Sequence, residues 1–313
     1  MLALLLLASI LYGAIVLIGD LECMEDTILD VWSFNLTYGL CEVTKKWLVC
    51  LLGEFAVTKI TRFCDSQHNR IGQVVFVTIF LGCISEISLE VFPRLDVCEA
   101  PWLHKAFAFI WPTVIMTLYV MVSKGDPGVV TNENRDALRS LFPPDDDFFV
   151  EKYCDTCQGV RPARAKHCNL NQRCIALFDH NCIWVSNSIG LFNTNVFLAF
   201  LAVSSIACIH GFYICTRIIY ILGLRHWKLI FASCRCTLCT CSTRLAFRTV
   251  ANEYRALACL GCFFFICGLT ITGFFVSQVN IACSGFTTYE SIKLRTRSRE
   301  ERKTLTSQAS GYF

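Results

Sequence analysis

The residues that could do chemistry are gathered between Cys154 and Cys182, where the chain reads C-x2-C-x9-H-C-x5-C-x4-D-H-N-C. Two thiolates at C-x2-C spacing can close on one tetrahedral Zn²⁺, and a later His and Cys complete four ligands. Cys154, Cys157, His167 and Cys174 form such a set. A structural zinc contributes on the order of 10 kcal/mol to folding a small module, enough to hold a segment with few aliphatic residues. Asp179-His180-Asn181-Cys182 supplies a second kind of chemistry. A thiol becomes a nucleophile when a nearby imidazole takes its proton and a carboxylate fixes the imidazole, which gives Cys182, His180 and Asp179 the outline of a triad. On spacing alone a His two positions before a Cys is weak evidence, and ordinary buried cysteines with a chance His remain the competing reading.

The elements that must position this segment are membrane spans. Of 313 residues, 54% are hydrophobic and only 17% charged, with a mean hydropathy of +0.50, outside the balance of a soluble domain. Four charge-poor runs flank the Cys-rich segment: Ile71 to Ile84 with its flanks, Ala106 to Val122, Val196 to Thr216, and Ala256 to Ala282. Each is long enough, with its flanks, to cross a bilayer as a helix. A fifth run, Leu2 to Gly19, lacks a basic leader and a clean cleavage site and is read as a retained anchor helix, with a cleaved signal as the alternative. Trp47 to Val57 is short and carries Glu54, which suits an interfacial or packed helix. Asn35-Leu36-Thr37 is a glycosylation sequon. The fold class expected is an all-α polytopic membrane protein with a zinc-supported cysteine-rich insertion.

Basic Lys59, Arg62 and Arg70 before the Ile71 run, against the acidic connection of Glu90, Arg94, Asp96 and Glu99, place the former side in the cytosol. The Cys-rich segment then returns to the cytosol, as does the basic tail from Lys293. The basic connection Arg225 to Arg255 falls on the opposite side and breaks the rule. Twenty-one cysteines would suit a disulfide scaffold in a secreted protein, but on a reducing cytosolic side the best-spaced group reads as metal binding or catalysis. Cys234, Cys236, Cys239 and Cys241 are read as luminal disulfides or a palmitoylated loop rather than a second metal site. His210, at membrane depth, is a packing histidine or a functional one. No internal repeat, nucleotide-binding glycine loop or nucleic-acid motif is visible.

The Cys-rich segment resembles the Asp-His-His-Cys cysteine-rich domain of the protein S-acyltransferases, or palmitoyltransferases. The likeness rests on Arg161-Pro162-Ala163-Arg164-Ala165-Lys166-His167-Cys168, Cys182-Ile183-Trp184-Val185, Asn187, Ile189-Gly190, Asn193 and Phe197, with Asp126-Pro127-Gly128 and Thr287-Thr288-Tyr289-Glu290 as outlying motifs. The resemblance implies four core spans with the domain in the cytosol between the second and third. It implies a mechanism in which Cys182 takes a long-chain acyl group from acyl-CoA and passes it to a cysteine of a membrane-associated protein, with His180 as base and Asp179 as its orienter. Basic Arg161, Arg164, Lys166 and Arg173 are candidates for the phosphates of coenzyme A, or for a solvated face against anionic lipid. The family's residence in endoplasmic reticulum and Golgi membranes is the expectation carried over, with partners limited to acyl-CoA, protein substrates and the bilayer, and no nucleic acid.

The chain departs from the family pattern at three places, with Asn171, Asn181 and Ser188 where the family has Cys, His and Cys. Carried over position by position, the family's first zinc set is complete here as Cys154, Cys157, His167 and Cys174. Its second set becomes Cys168, Asn171, Asn181 and Ser188, so one zinc is expected rather than two, with a polar network in place of the other. The chain divides into residues 1–70, a hydrophobic helix and connection; 71–123, the first two core spans; 124–195, the cysteine-rich catalytic domain; 196–283, the last two spans with a connecting loop; and 284–313, a basic tail. A scaffold that binds substrates without turnover is the rival from another class. A zinc-dependent transporter fits poorly, because the ligands cluster outside the bilayer and the spans carry few charges.

Overall fold

The structure, a computed structural model, describes residues 70–145, 147–169, 171–233 and 240–295. The Leu2 to Gly19 run, the sequon, Trp47 to Val57, Cys234, Cys236, Cys239 and the tail beyond residue 295 lie outside the described residues. Among the described residues, four helical segments are long and apolar enough to cross a membrane: Ile71–Val97, Pro101–Lys124, Thr194–Ile230 and Arg255–Cys283. They are the four expected core spans, and the first and third run further than their apolar cores suggested.

Helix α1, Ile71–Glu86, continues through a π-helical turn, Ile87–Val91, into a 3₁₀ turn, Phe92–Val97. Pro93, which has no amide hydrogen to donate, stands at the start of that tightened turn. Helix α2, Pro101–Lys124, opens with a proline at its first turn, where the missing donor costs nothing. A short helix α3, Arg135–Leu141, precedes the Cys-rich insertion. Helix α4 is a continuous Thr194–Ser233, and α5, Thr240–Glu253, leads into α6, Arg255–Cys283. The connection read from sequence as a loop is therefore mostly helical among the described residues. Tyr254 Oη meets His226 Nδ1 at 3.2 Å, tying the junction of α5 and α6 to the far end of α4. Ile214, Cys215, Ile218, Leu257 and Leu260 are buried in the core at that end. Helix α7, Thr288–Arg295, closes the described chain.

The insertion is not helical. It is built from three antiparallel two-stranded sheets: β1 (Lys152–Cys154) with β2 (Gly159–Arg161), β3 (Ala165–Cys168) with β4 (Arg173–Ala176), and β5 (His180–Cys182) with β6 (Asn187–Ile189). These hairpins repeat in register. Cys154, Cys168 and Cys182 each end a first strand, and four residues beyond each stands a left-handed residue, Gln158, Gln172 and Ser186, all with φ of 50°. The spacing is 14 residues throughout, so the chain does contain an internal repeat. Pairing of Cys154 with Gly159, Cys168 with Arg173 and Cys182 with Asn187 confirms that the three turns are equivalent.

His210 sits at the contact between α2 and α4. Trp111 donates its indole N–H to His210 Nδ1 at 3.2 Å, and His210 Nε2 lies 3.1 Å from His104 Nδ1, which joins α2 to α4 with both ring nitrogens satisfied.

Candidate functional site

The first two hairpins bring together Cys154, Cys157, His167 and Cys174, whose ligand atoms all lie within 4.8 Å of one another. His167 Nδ1 is 3.4 Å from Cys154 Sγ, 3.3 Å from Cys157 Sγ and 3.9 Å from Cys174 Sγ, and Cys174 Sγ is 3.7 Å from Cys157 Sγ. Tetrahedral zinc with Zn–S near 2.3 Å and Zn–N near 2.0 Å sets edges of about 3.5 to 3.8 Å between ligand atoms. The four residues fit the ion in type and in spacing. Among the described residues this is the one group of its kind.

The repeat explains the second set. Advancing each ligand by 14 residues gives Cys168, Asn171, Asn181 and Ser188, so the two sets are one motif used twice in overlapping hairpins. In the second copy the polar groups satisfy each other. Asn171 donates its backbone N–H to Cys168 Sγ at 3.3 Å and its side-chain amide to Ser188 Oγ at 3.1 Å. Ser188 donates to Asn181 Oδ1 at 2.8 Å, and Cys168 Sγ donates to the same oxygen at 3.0 Å. Ser188 and Cys168 are buried, so unmade bonds here would be expensive.

The third copy of the turn carries Cys182. His180 donates Nδ1–H to Asp179 Oδ2 at 2.6 Å, leaving Nε2 for its hydrogen bond with Cys182. Burial pulls the imidazole down, but hydrogen bonds and charge from Asp179 and Cys182 outweigh it and hold its pKa up to about 9. Asp179 is fixed from the other side by Thr288, through its backbone N–H to Oδ1 and its hydroxyl to Oδ2 at 3.0 Å. Gln278 of α6 donates in turn to Thr288 Oγ1 at 3.1 Å. A chain of hydrogen bonds thus links Gln278, Thr288, Asp179, His180 and Cys182, with the Asp179 carboxylate accepting from Thr288 on one side and His180 on the other. The His180 ring packs edge-on to Phe197 and Phe274, 5.4 and 6.3 Å between centroids, so its apolar faces meet α4 and α6.

The outlying motifs hold this arrangement. Asp126 Oδ1 accepts the N–H of Gly128 and of Val129, each at 2.9 Å, in a turn that needs Gly128 at φ 101°. Gly128 C=O then accepts the N–H of Ala176 on β4. Asn187 donates to Val122 O and Gly125 O, each at 2.9 Å, satisfying carbonyls at the end of α2. Asn193 accepts from Gly190 N–H and donates to Ser188 O, joining the third hairpin to the start of α4.

Arg164 does not face solvent. It donates to both carboxylate oxygens of Glu290, at 2.9 and 2.5 Å, and to Gly285 O at 2.8 Å, with side chains of the pair 3% and 7% exposed. Arg164 is therefore committed to docking α7 onto the hairpins and is withdrawn from the set expected to meet phosphates. Lys166 lies 3.7 Å from the Tyr289 ring centroid and 4.9 Å from that of Phe178. Arg161 is half-buried and Arg173 exposed. Sequence reasoning took Thr288 only as part of an outlying motif and missed Gln278; a polar side chain near the end of an apolar span was the available signal.

Comparison with known proteins agrees with this geometry. Residues 147–295 match the family model for the DHHC palmitoyltransferase. The chain is 36% identical over 106 residues to palmitoyltransferase SWF1 of Yarrowia lipolytica, covering 34% of this chain and 28% of that protein. It is 34% identical over 118 residues to palmitoyltransferase ZDHHC4 of Mus musculus, covering 37% and 34% respectively. To palmitoyltransferase ERF2 of Candida glabrata it is 51% identical over 150 residues, covering 42% and 46%. The matches thus span less than half the length of these curated relatives.

Proposed function

From the DHHC palmitoyltransferase domain carried at residues 147–295, we propose that this chain is a protein-cysteine S-acyltransferase working through an acyl-enzyme thioester at Cys182. The Cys182 proton is held on His180 Nε2, in keeping with the raised imidazole pKa, and Cys182 Sγ attacks the thioester carbonyl of a long-chain acyl-CoA. The bond from the carbonyl carbon to the coenzyme A sulfur breaks, and coenzyme A leaves as a thiol with the proton returned from His180. In the second half, a substrate cysteine gives its proton to His180 and attacks the acyl group, and Cys182 is released. Each half exchanges one thioester for another, so no redox partner or nucleotide is called for. Asp179 keeps the imidazole in the tautomer that presents Nε2 to the sulfur.

The single observation that supports this reading best is the hydrogen-bond chain that links Gln278, Thr288, Asp179, His180 and Cys182. Cys154, Cys157, His167 and Cys174 hold one structural zinc, which locks two hairpins and takes no part in the exchange. The second family site is replaced by the bonds among Cys168, Asn171, Asn181 and Ser188. Arg161, Lys166 and Arg173 meet the phosphates of coenzyme A. The enzyme resides as a multi-pass protein in the endoplasmic reticulum or Golgi membrane, with its hairpins in the cytosol, and acts on membrane-associated proteins.

Incubation of the purified protein with an alkyne palmitoyl-CoA tests the proposal. Hydroxylamine-sensitive label is expected in the wild type, abolished in Cys182→Ser and strongly reduced in His180→Ala. Label that persists in Cys182→Ser, or fails to form in the wild type, would favour the substrate-binding scaffold.

A further inference from the structure

The turn that follows the nucleophile is gripped by the first two spans through three consecutive carbonyl groups. Tyr119 of α2 donates its hydroxyl to Trp184 O at 3.1 Å, and Gln73 of α1 donates its side-chain amide to Val185 O at 2.8 Å. Between them, the backbone of Gly72 lies so close to Ile183 O that a Cβ there would sit 2.2 Å from the oxygen. No side chain fits at position 72. Tyr119 is buried in the same core cluster as Cys182 and Val185, so its hydroxyl is spent on a peptide of the nucleophile's turn.

The hairpin repeat shows what fixing these carbonyls would do. In the first copy, Cys154 Sγ accepts backbone N–H from Thr156 and Cys157, and in the second, Cys168 Sγ accepts the N–H of Asn171. The amides at the same places in the third copy belong to Trp184 and Val185. In a trans peptide the N–H points away from the C=O of the same unit. Anchoring Ile183 O fixes the unit that carries the Trp184 N–H, and anchoring Trp184 O fixes the unit that carries the Val185 N–H. The Gln73 bond to Val185 O fixes the next unit and so the far side of Val185 in the same turn. In the first two copies such amides serve a thiolate ligand or its replacement, and in the third the equivalent amides lie on the turn that follows Cys182.

We propose that Gly72, Gln73 and Tyr119 are positioning residues for the nucleophile, holding the turn after Cys182 by its carbonyls so that the Trp184 and Val185 amides stay directed at the sulfur. The proposal rests on the reading of Cys182 as the acyl-bearing residue. It adds that the first two spans, which contribute no group to the hydrogen-bond chain behind His180, set the charge distribution around the sulfur. Preorganised amides aimed at an anion are a principal way to stabilise it without reorganisation. The titratable groups facing Cys182 are His180, with Asp179 behind it, and Tyr119 from α2; Phe197, Phe200 and Leu201 of α4 are apolar.

The test measures alkylation of Cys182 by iodoacetamide across pH, in the full-length protein in detergent, for wild type, Tyr119→Phe, Gln73→Leu, Gln73→Glu and Gln73→Lys. Acyl uptake from palmitoyl-CoA in a single turnover is followed in the same samples, and unchanged zinc content and melting temperature serve as fold checks. Tyr119→Phe and Gln73→Leu should move the alkylation midpoint to higher pH and slow acyl uptake about tenfold, with little change in the acyl-CoA concentration for half-maximal rate. Gln73→Glu, which keeps the shape but has no donor when ionised, should behave as Gln73→Leu, and Gln73→Lys should recover much of the rate. An alkylation midpoint unchanged in both Tyr119→Phe and Gln73→Leu overturns the positioning role. A wild type that alkylates at Cys182 yet takes up no acyl group would instead bring down the acyltransferase reading, while the midpoints still decide the role of the spans.

Discussion

His180 stands between the Asp179 carboxylate and the Cys182 thiol, and its raised pKa has a measurable consequence. A histidine held up to about 9 in the fold, against an ordinary value near 6.5, contributes stability that is complete below about pH 6.5. That contribution is lost as pH rises through about 9. The melting-temperature gap between wild type and His180→Gln should therefore be widest at pH 6 and narrow steadily toward pH 9.5; a gap that widens with pH would show that the imidazole is held neutral. Thr288 acts one step further back. Replacing it with Val keeps the backbone N–H to Asp179 and removes only the hydroxyl, so Thr288→Val should slow acyl-enzyme formation by about tenfold, the worth of one charge-assisted hydrogen bond. A loss no larger than twofold would mean that the backbone contact alone suffices.

At the scale of elements, three equivalent hairpins are held by three different devices: a four-ligand metal set, a closed polar network, and a grip from two membrane spans. The second device should be the most exposed to single changes. Ser188→Ala removes the hydroxyl that both accepts from Asn171 and donates to Asn181, costing about 1 kcal/mol because Asn171 is half-buried and Asn181 is exposed and keeps Cys168 as a donor. Melting temperature should fall while zinc content stays unchanged. Docking of α7 depends on a buried pair instead. Arg164→Met leaves Glu290 charged at a 7% exposed site and should cost about 3 to 5 kcal/mol, whereas Arg164→Met with Glu290→Gln should recover most of it. A double variant as unstable as the single one would show that Arg164 contributes through its packing on Phe149, 4.8 Å from the ring centroid, and not through its charge.

At the scale of the whole molecule, the four spans, the clustering of Cys154, Cys157, His167 and Cys174, and the Asp179–His180 contact beside Cys182 were legible in the sequence because each depends on residue type and short spacing. What was not legible depends on contacts between distant segments. Arg164 looked like one more basic residue of the hairpin surface, because nothing near it in sequence announces Glu290, 126 residues away. The hairpin repeat was hidden because only the cysteines at 154, 168 and 182 recur, while positions 157, 171 and 185 hold Cys, Asn and Val; strand register made it visible. The grip of Gln73 and Tyr119 was hidden for the same reason, since each looks like an isolated polar residue in an apolar run until its partner carbonyl is known. Zinc analysis of the purified protein should give one ion per chain, falling to none in Cys157→Ser, and two per chain would mean that the polar network opens to accept metal. The central claim is met most directly by intact-mass measurement after a single turnover with palmitoyl-CoA, with fragmentation to locate the adduct and addition of an acceptor thiol peptide. One acyl group per chain at Cys182, discharged to the acceptor, is the result expected; an adduct elsewhere, or one at Cys182 that the acceptor cannot remove, would contradict the account.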